Sequence, residues 1–274
     1  MPDAPVTPLP ASTVLLLRDG PQGIEVFMEE RPTKMDFAAG ALVFPGGKVE
    51  QADGNPALRD RCAGVDGLDD ATRALQVAAI RETFEECGVL LARPRGVDTL
   101  VPEDRVRDLE DRYREPLLKD DIGIDAMAET EDLELACDLL VYFAHWITPE
   151  IRPKRFDTHF FLAPAPADQT AQHDGKESLD SLWERPKRVV EEFAGGIHFV
   201  MFPTYCTLTK LAQSDTVAEA LERARGETVV TILGQHEKGP DGGTRMILPK
   251  DSGYDITEVP DKNDPTGRRL VVYK

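Results

Sequence analysis

The spacing of apolar residues changes several times along this chain, and each change marks a predicted element. Ser12–Arg18 (STVLLLR) and Gly23–Glu30 (GIEVFMEE) are β-like runs on either side of Asp19-Gly20-Pro21-Gln22-Gly23, a turn sequence, so a hairpin is expected. Gly40–Gly47 is a short apolar strand ending in a Pro-Gly-Gly bend, followed by a Gly-, Asp-, Asn- and Pro-containing loop from Glu50 to about Asp70. Ala71–Cys87 is the clearest helix: Asp69 or Asp70 can cap its start, and Gly88 stands where a glycine ends a helix. Leu75, Ala78, Ala79, Phe84 and Cys87 are its expected core residues, with Glu82, Glu85 and Glu86 together on the other side.

Residues 97–137 are acidic and helical in pattern, and are expected to form an inserted helical cap. Strands resume at Leu139–Ile147, Phe156–Ala163 and Leu182-Trp183, the last after a polar loop at 168–176. Helices are predicted from Pro186 to about Phe193, over Pro203–Leu211 and near Val217–Arg225. Strands are predicted at Thr228–Leu233, Thr244–Leu248 and Arg269–Tyr273. This mixture predicts an α/β (α+β) fold, a sandwich with helices on both sides of a mixed sheet.

Composition narrows the function. With 41% hydrophobic residues the chain can bury an ordinary core. The 50 acidic and 32 basic residues leave a formal charge of −18, which argues against a partner such as DNA or RNA but not against a small anionic substrate. No apolar run reaches bilayer length and the start lacks a signal-peptide pattern, so a soluble cytoplasmic protein with no membrane partner is expected. The four cysteines form no C-x-x-C pair, and the five histidines show no H-E-x-x-H spacing.

The chemistry concentrates in Arg81-Glu82-Thr83-Phe84-Glu85-Glu86-Cys87-Gly88. Three carboxylates on one helical turn repel one another, and a divalent cation removes the conflict; oxygen ligands favour Mg²⁺ or Mn²⁺ over zinc. The Gly46-Gly47 bend lets a backbone carbonyl approach such an ion. Arg81, four residues before Glu85, can orient Glu85 and Glu82. A solvated acidic helix face is the other reading of the same residues.

Arg81–Val89 (RETFEECGV) resembles the second half of a Nudix box, G-x5-E-x7-R-E-U-x-E-E-x-G-U, with Thr83 at a usually aliphatic position. Gly47–Asp53 (GKVEQAD) resembles its first half, with Asp53 in place of glutamate; Gly54–Ile80, much longer than the pattern's own connection, separates the halves. The split box, Gly40-x-x-x-Phe44-Pro45-Gly46-Gly47, His145-Trp146-Ile147-Thr148-Pro149 and Arg155-Phe156-Asp157-Thr158-His159-Phe160-Phe161 are together similar to the coenzyme A diphosphatase branch of the Nudix hydrolases. Two departures stand out: an arginine usual a few residues before Gly40 is displaced to Arg31 or Lys34, and Glu50 replaces an aspartate.

The resemblance implies a Nudix α/β/α sandwich over residues 1–214 with the helical insertion at about 97–137; the remaining C-terminal extension, 215–274, is strand-rich in sequence, which permits homodimerisation. It implies metal-dependent hydrolysis of a pyrophosphate bond in a nucleoside diphosphate derivative. Glu82, Glu85 and Glu86, with the carbonyl of Gly46 or Gly47, would hold Mg²⁺ or Mn²⁺. Arg81 would orient them, and Glu82 is alternatively the base. Glu177 is a further ligand or base, or else an ordinary loop glutamate. Arg31, Lys34 and Arg155 are the candidates for substrate phosphates. Coenzyme A or an acyl-coenzyme A is the expected substrate; the alternatives are ADP-ribose, an NADH-type dinucleotide, or a ligand-binding module without catalysis.

Overall fold

In a computed structural model of the chain, two long strands frame everything else. The structure describes residues 6–31, 40–150, 152–172, 180–238, 244–254, 256, 258–260 and 269–273. Strands β1 (Leu9–Gly20) and β2 (Gly23–Glu30) form the expected hairpin, with Gly20 opposite Gly23 across Pro21-Gln22. Side chains alternate across β1: Val14 and Leu16 enter one apolar core, and Leu15 and Leu17 the other. Both faces are therefore buried, which requires a layer on each side.

Around this hairpin the sheet grows in both directions. Strand β3 (Ala41–Val43) pairs with β2, and β4 (Gly46–Lys48) pairs with the first half of β1. The expected Pro-Gly-Gly bend is thus continued directly into a strand. On the other edge of β1 lies β8 (Phe156–Pro164), parallel to it, then β7 (Val141–Ile147), antiparallel to β8, and β11 (Thr231–Leu233), parallel to β7. Strand β9 (Asp180–Glu184) joins β2, and β10 (Phe199–Val200) joins β3. The sheet is mixed, as predicted.

Helices α5 (Pro186–Ala194), α6 (Phe202–Leu211) and α7 (Val217–Gly226) supply Val189, Phe193, Leu208, Leu211 and Ala220 to the core on one face. The opposite face carries α1 (Asp70–Cys87). Its ends follow the predicted caps: the Asp69 carboxylate accepts from Thr72 N at 2.7 Å, and Gly88, at φ 67°, sends its N–H back to Phe84 O. The C-terminal strands β12 (Gln235–Lys238), β13 (Thr244–Ile247), β14 (Glu258–Pro260) and β15 (Arg269–Tyr273) form a second sheet. No helix among the described residues is long and apolar enough to cross a membrane.

The segment between the box halves departs from the expected solvent loop. Pro56–Arg61 forms a 3₁₀ turn, and Leu58, Cys62 and Val65 are buried in the α1-side core. Arg73 of α1, fully buried, donates to the carbonyls of Gly54 and Asn55 at 3.0 Å each. Residues 97–137 pack into that same core. After β5 (Ala92–Pro94) come α2 (Glu103–Leu109), a π-helical turn (Glu110–Arg114), α3 (Glu115–Leu118), α4 (Ile124–Thr130) and β6 (Leu133–Leu135), which pairs with β5. Val106, Leu109, Leu117, Ile124 and Met127 join Leu58 there. Scattered apolar residues in a turn-rich stretch give no periodicity, so only the tertiary contacts identify this packing.

Because Leu58 is 1% exposed inside this core, Leu58→Ala should destabilise the protein by about 2–5 kcal/mol in denaturant melts. An unchanged midpoint would return the segment to the status of a solvent loop.

Candidate active site

Helix α1 presents its acidic turn to β4, and glycine makes the approach close enough. A Cβ at Gly47 would collide with the Glu82 carboxylate, and one at Gly46 with the backbone of Ser12 and Thr13. Gly46 N donates to Glu86 Oε2 at 2.6 Å. Of the three glutamates singled out in the sequence, Glu82 and Glu86 therefore meet the two glycines.

Arg81 holds the group together from within. It is 1% exposed, and all three of its guanidinium nitrogens are hydrogen-bonded. Nε and one terminal nitrogen grip Asp53 at 3.0 and 3.1 Å, and that same terminal nitrogen also donates to Lys48 O at 2.8 Å. The other terminal nitrogen meets Glu85 at 2.9 Å and Glu82 at 3.0 Å, with Glu50 at 3.7 Å. Asp53 and Glu50 were not among the residues assigned a role from sequence. The signal was available: Asp53 occupies the acidic position in the first half of the box.

The glutamates do not lie on a solvated face. Glu82 and Glu85 are buried and Glu86 is partly so, because β4, the 50–70 segment and the insertion cover this side of α1. Arg114, in the π-helical turn, donates to the carbonyls of Glu85 and Glu86 at 2.7 and 2.6 Å, satisfying groups that a helix end leaves open. Thr83 fits its usually aliphatic position because its buried hydroxyl donates back to Ala79 O at 2.7 Å. Cys87 is a buried thiol bonded to Thr83 O.

Burial drives the electrostatics. Loss of water pushes Glu82 up to about 7 and Glu85 up to about 8, against the pull of Arg81. Burial raises Asp53 and Glu50 too. Glu85 Oε1 is buried without a hydrogen-bond partner among the described residues. An orphaned carboxylate oxygen beside crowded, partly protonated acids is the donor set that a hard divalent cation fits.

The other site residues expected from sequence are dispersed. Arg155 is buried at the start of β8, its guanidinium donating to Thr148 O at 2.9 Å and Val6 O at 2.7 Å. Arg31 follows β2; its Nε is buried and has no hydrogen-bond partner among the described residues. Lys34 and Glu177 lie outside the described residues. Two of the histidines, unremarkable by spacing, are brought face to face: His145 on β7 stands opposite His159 on β8, next to Asp157. Only strand register, which sequence spacing does not reveal, unites them.

Residues 68–211 match the family model of the NUDT19 Nudix domain. The chain belongs to the Nudix hydrolases. Among the relatives of this Nudix hydrolase, the acyl-coenzyme A diphosphatase NUDT19 of Xenopus laevis is 24% identical, over 90% of this chain and 74% of that protein. A putative nudix hydrolase 7 of Caenorhabditis elegans is 28% identical, over 69% of this chain and 56% of its own length. The crystal structure of a NUDIX hydrolase from Alicyclobacillus acidocaldarius superposes with a TM-score of 0.66 at 28% identity, covering 80% of this chain and 97% of that one. The chain is thus a pyrophosphohydrolase, in a family that generally uses divalent metals and small nucleotide-type substrates.

The raised carboxylates set a stability test. A carboxyl whose folded value exceeds its ordinary 4.5 contributes stability below that value and loses it as pH rises through about 7 to 8. With cations chelated, the melting temperature should therefore fall across that window, and less so in Glu85→Gln. A pH-independent melt of the chelated wild type would contradict the crowding.

Proposed function

We propose that this Nudix hydrolase is a Mg²⁺- or Mn²⁺-dependent diphosphatase of coenzyme A and its acyl thioesters, acting in the cytoplasm. The observation that carries the metal-dependent chemistry is the buried carboxylate group around Arg81, in which Glu85 Oε1 has no hydrogen-bond partner among the described residues, with Glu82 and Glu86 against Gly47 and Gly46. A bound cation would neutralise the pyrophosphate oxygens and lower the pKa of attacking water. Glu82, Glu85 and Glu86 would hold it, with a carbonyl of Gly46 or Gly47. Arg81 keeps Glu82 and Glu85 in register and is a positioning residue. Glu82 is alternatively the base rather than a ligand, since burial raises its carboxyl and favours proton uptake when no cation is bound.

The substrate reading rests on relatives named acyl-coenzyme A diphosphatases that match most of the chain. Coenzyme A carries a 3′-phosphate that ADP-ribose lacks, and binding that group calls for a cationic side chain. Arg31, whose buried Nε has no hydrogen-bond partner among the described residues, is the better candidate. Arg155 spends donors on two backbone carbonyls. Lys34 and Glu177 stay in the proposal as further phosphate and metal or base candidates.

Glu86→Gln should lower kcat on the order of 10²–10³-fold with the melt retained, the loss typical of removing one electrostatic stabiliser. Chelation should abolish turnover and Mg²⁺ or Mn²⁺ restore it; restoration by Zn²⁺ alone would contradict the oxygen-ligand argument. On a panel of coenzyme A, acetyl-coenzyme A, ADP-ribose and NADH, the coenzyme A compounds should have the highest kcat/KM, giving adenosine 3′,5′-bisphosphate and a 4′-phosphopantetheine product. A preference for ADP-ribose or NADH would overturn the substrate and leave the chemistry standing. Arg31→Ala should reduce hydrolysis of coenzyme A more than that of 3′-dephospho-coenzyme A, by about 1.5–3 kcal/mol. Equal losses would remove Arg31 from the 3′-phosphate.

A further inference from the structure

One row of residues crosses the sheet at right angles to its strands. Gly47 on β4 pairs with Ser12 on β1, Ser12 with His159 on β8, His159 with His145 on β7, and His145 with Thr231 on β11. The His145 and His159 rings stack, with centroids 4.0 Å apart. Asp157 lies beside them: its Oδ1 is hydrogen-bonded to His145 Nε2 and is 3.6 Å from His159 Nε2. One ligand atom from each of the three residues lies within 4.8 Å of the others, a grouping otherwise not found among the described residues.

The far side of each imidazole is already engaged. His145 Nδ1 shares a hydrogen with Thr231 Oγ1 at 2.8 Å, and His159 Nδ1 with the Tyr142 hydroxyl at 2.9 Å. Both Nε2 atoms are thereby turned toward one carboxylate oxygen. We propose that His145, Asp157 and His159 bind a divalent transition-metal ion of the Zn²⁺ class, at a site separate from the carboxylates of α1.

Three features carry the assignment. Two imidazole nitrogens and one carboxylate oxygen are donors for zinc and its neighbours, whereas Glu82, Glu85 and Glu86 offer only oxygen. Tetrahedral coordination at zinc bond lengths places donor atoms roughly 3.3–3.5 Å apart; Asp157 Oδ1 and His159 Nε2 stand at 3.6 Å, and the His145–Asp157 hydrogen bond opens to admit the ion. The hydroxyl partners on both Nδ1 atoms are the outer hydrogen bonds that orient metal-binding histidines. Two strand spacings, roughly 10 Å, separate His159 from Gly47, so one ion cannot bridge both donor sets. With Asp157 35% and the histidines 14% and 19% exposed, the site is open to solvent and leaves a coordination position for water or an anionic oxygen.

The test uses the whole chain carrying Glu85→Gln and Glu86→Gln, which removes two of the three α1 carboxylates that would compete for the ion. After chelation and dialysis, Zn²⁺ and Co²⁺ are added separately, and stoichiometry and the Co²⁺ visible spectrum are read. We expect one ion per chain, with the intense ligand-field bands of low-coordinate cobalt and, for Zn²⁺, a raised melting temperature. His159→Ala and His145→Ala should each abolish these signals. Tyr142→Phe should weaken binding by about 10–100-fold, as loss of an outer hydrogen bond does. Asp157→Asn, nearly isosteric, covers the case in which a histidine variant fails to fold, and it should weaken binding likewise. Absence of bound Zn²⁺ and Co²⁺, or binding indifferent to Asp157→Asn and His159→Ala, would overturn the site. Activity with Mg²⁺ is measured separately on wild type, so a failure here leaves the carboxylate chemistry intact.

Discussion

The structure depends on one buried guanidinium. Arg81 joins residues that the chain keeps far apart: Asp53, 28 positions earlier, the carbonyl of Lys48 on β4, and Glu82 and Glu85 on its own helix. The bidentate pair with Asp53 closes the segment that interrupts the box, so the two halves lie together in space although the chain between them is long. A lysine cannot reproduce this, because a single ammonium has no fork with which to hold a carboxylate and serve three other acceptors. Removing either partner would leave an uncompensated charge in a dry site, which is far more damaging than never having built the pair.

The material inserted around the box makes that site dry. The 50–70 segment brings Leu58, Cys62 and Val65 beneath α1, and residues 97–137 bring Val106, Leu109 and Leu117 to the same core. The insertion also reaches the functional turn itself. Arg114 caps the carbonyls of Glu85 and Glu86, and the Asp120 carboxyl helps raise Glu50 by hydrogen bonding and charge. The proposed ligands at the end of α1 need their backbone held still, and Arg114 provides that from a neighbouring element. A cation at the C-terminus of α1 also suits the partial negative charge of that helix end.

What could be read from the sequence was what local chemistry decides. Caps and periodicity located α1 to within a residue of its observed bounds, and the Pro21-Gln22 hairpin followed from turn residues. The glycines and glutamates of the split box were readable because the motif fixes both residue type and spacing. The burial of Glu82 and Glu85 was not readable. It is caused by chain inserted elsewhere, and acidic spacing on a helix looks the same whether water or protein covers it. Arg114 was hidden in a run of charges, where i, i+4 pairs are expected and a capping role leaves no mark. His145 and His159 were hidden for another reason: an antiparallel register is set by the whole strand pair, here with an irregularity between Tyr142 and Ala144.

One cation, Arg81, faces Asp53, Glu50, Glu82 and Glu85, so its immediate surroundings are over-supplied with negative charge in a chain already at −18. Water would screen that excess on a surface, but it is largely excluded here, so the acids hold protons that they would otherwise release. Charge balance, not any single bond, then determines the state of the site. A divalent cation would supply the missing charge and release those protons, turning the residues that strain the fold at neutral pH into its ligands. With the proposed ion bound, stability and catalysis would draw on the same interaction. Arg81 alone brings one positive charge to four carboxyl groups, and the proposed ion would supply more.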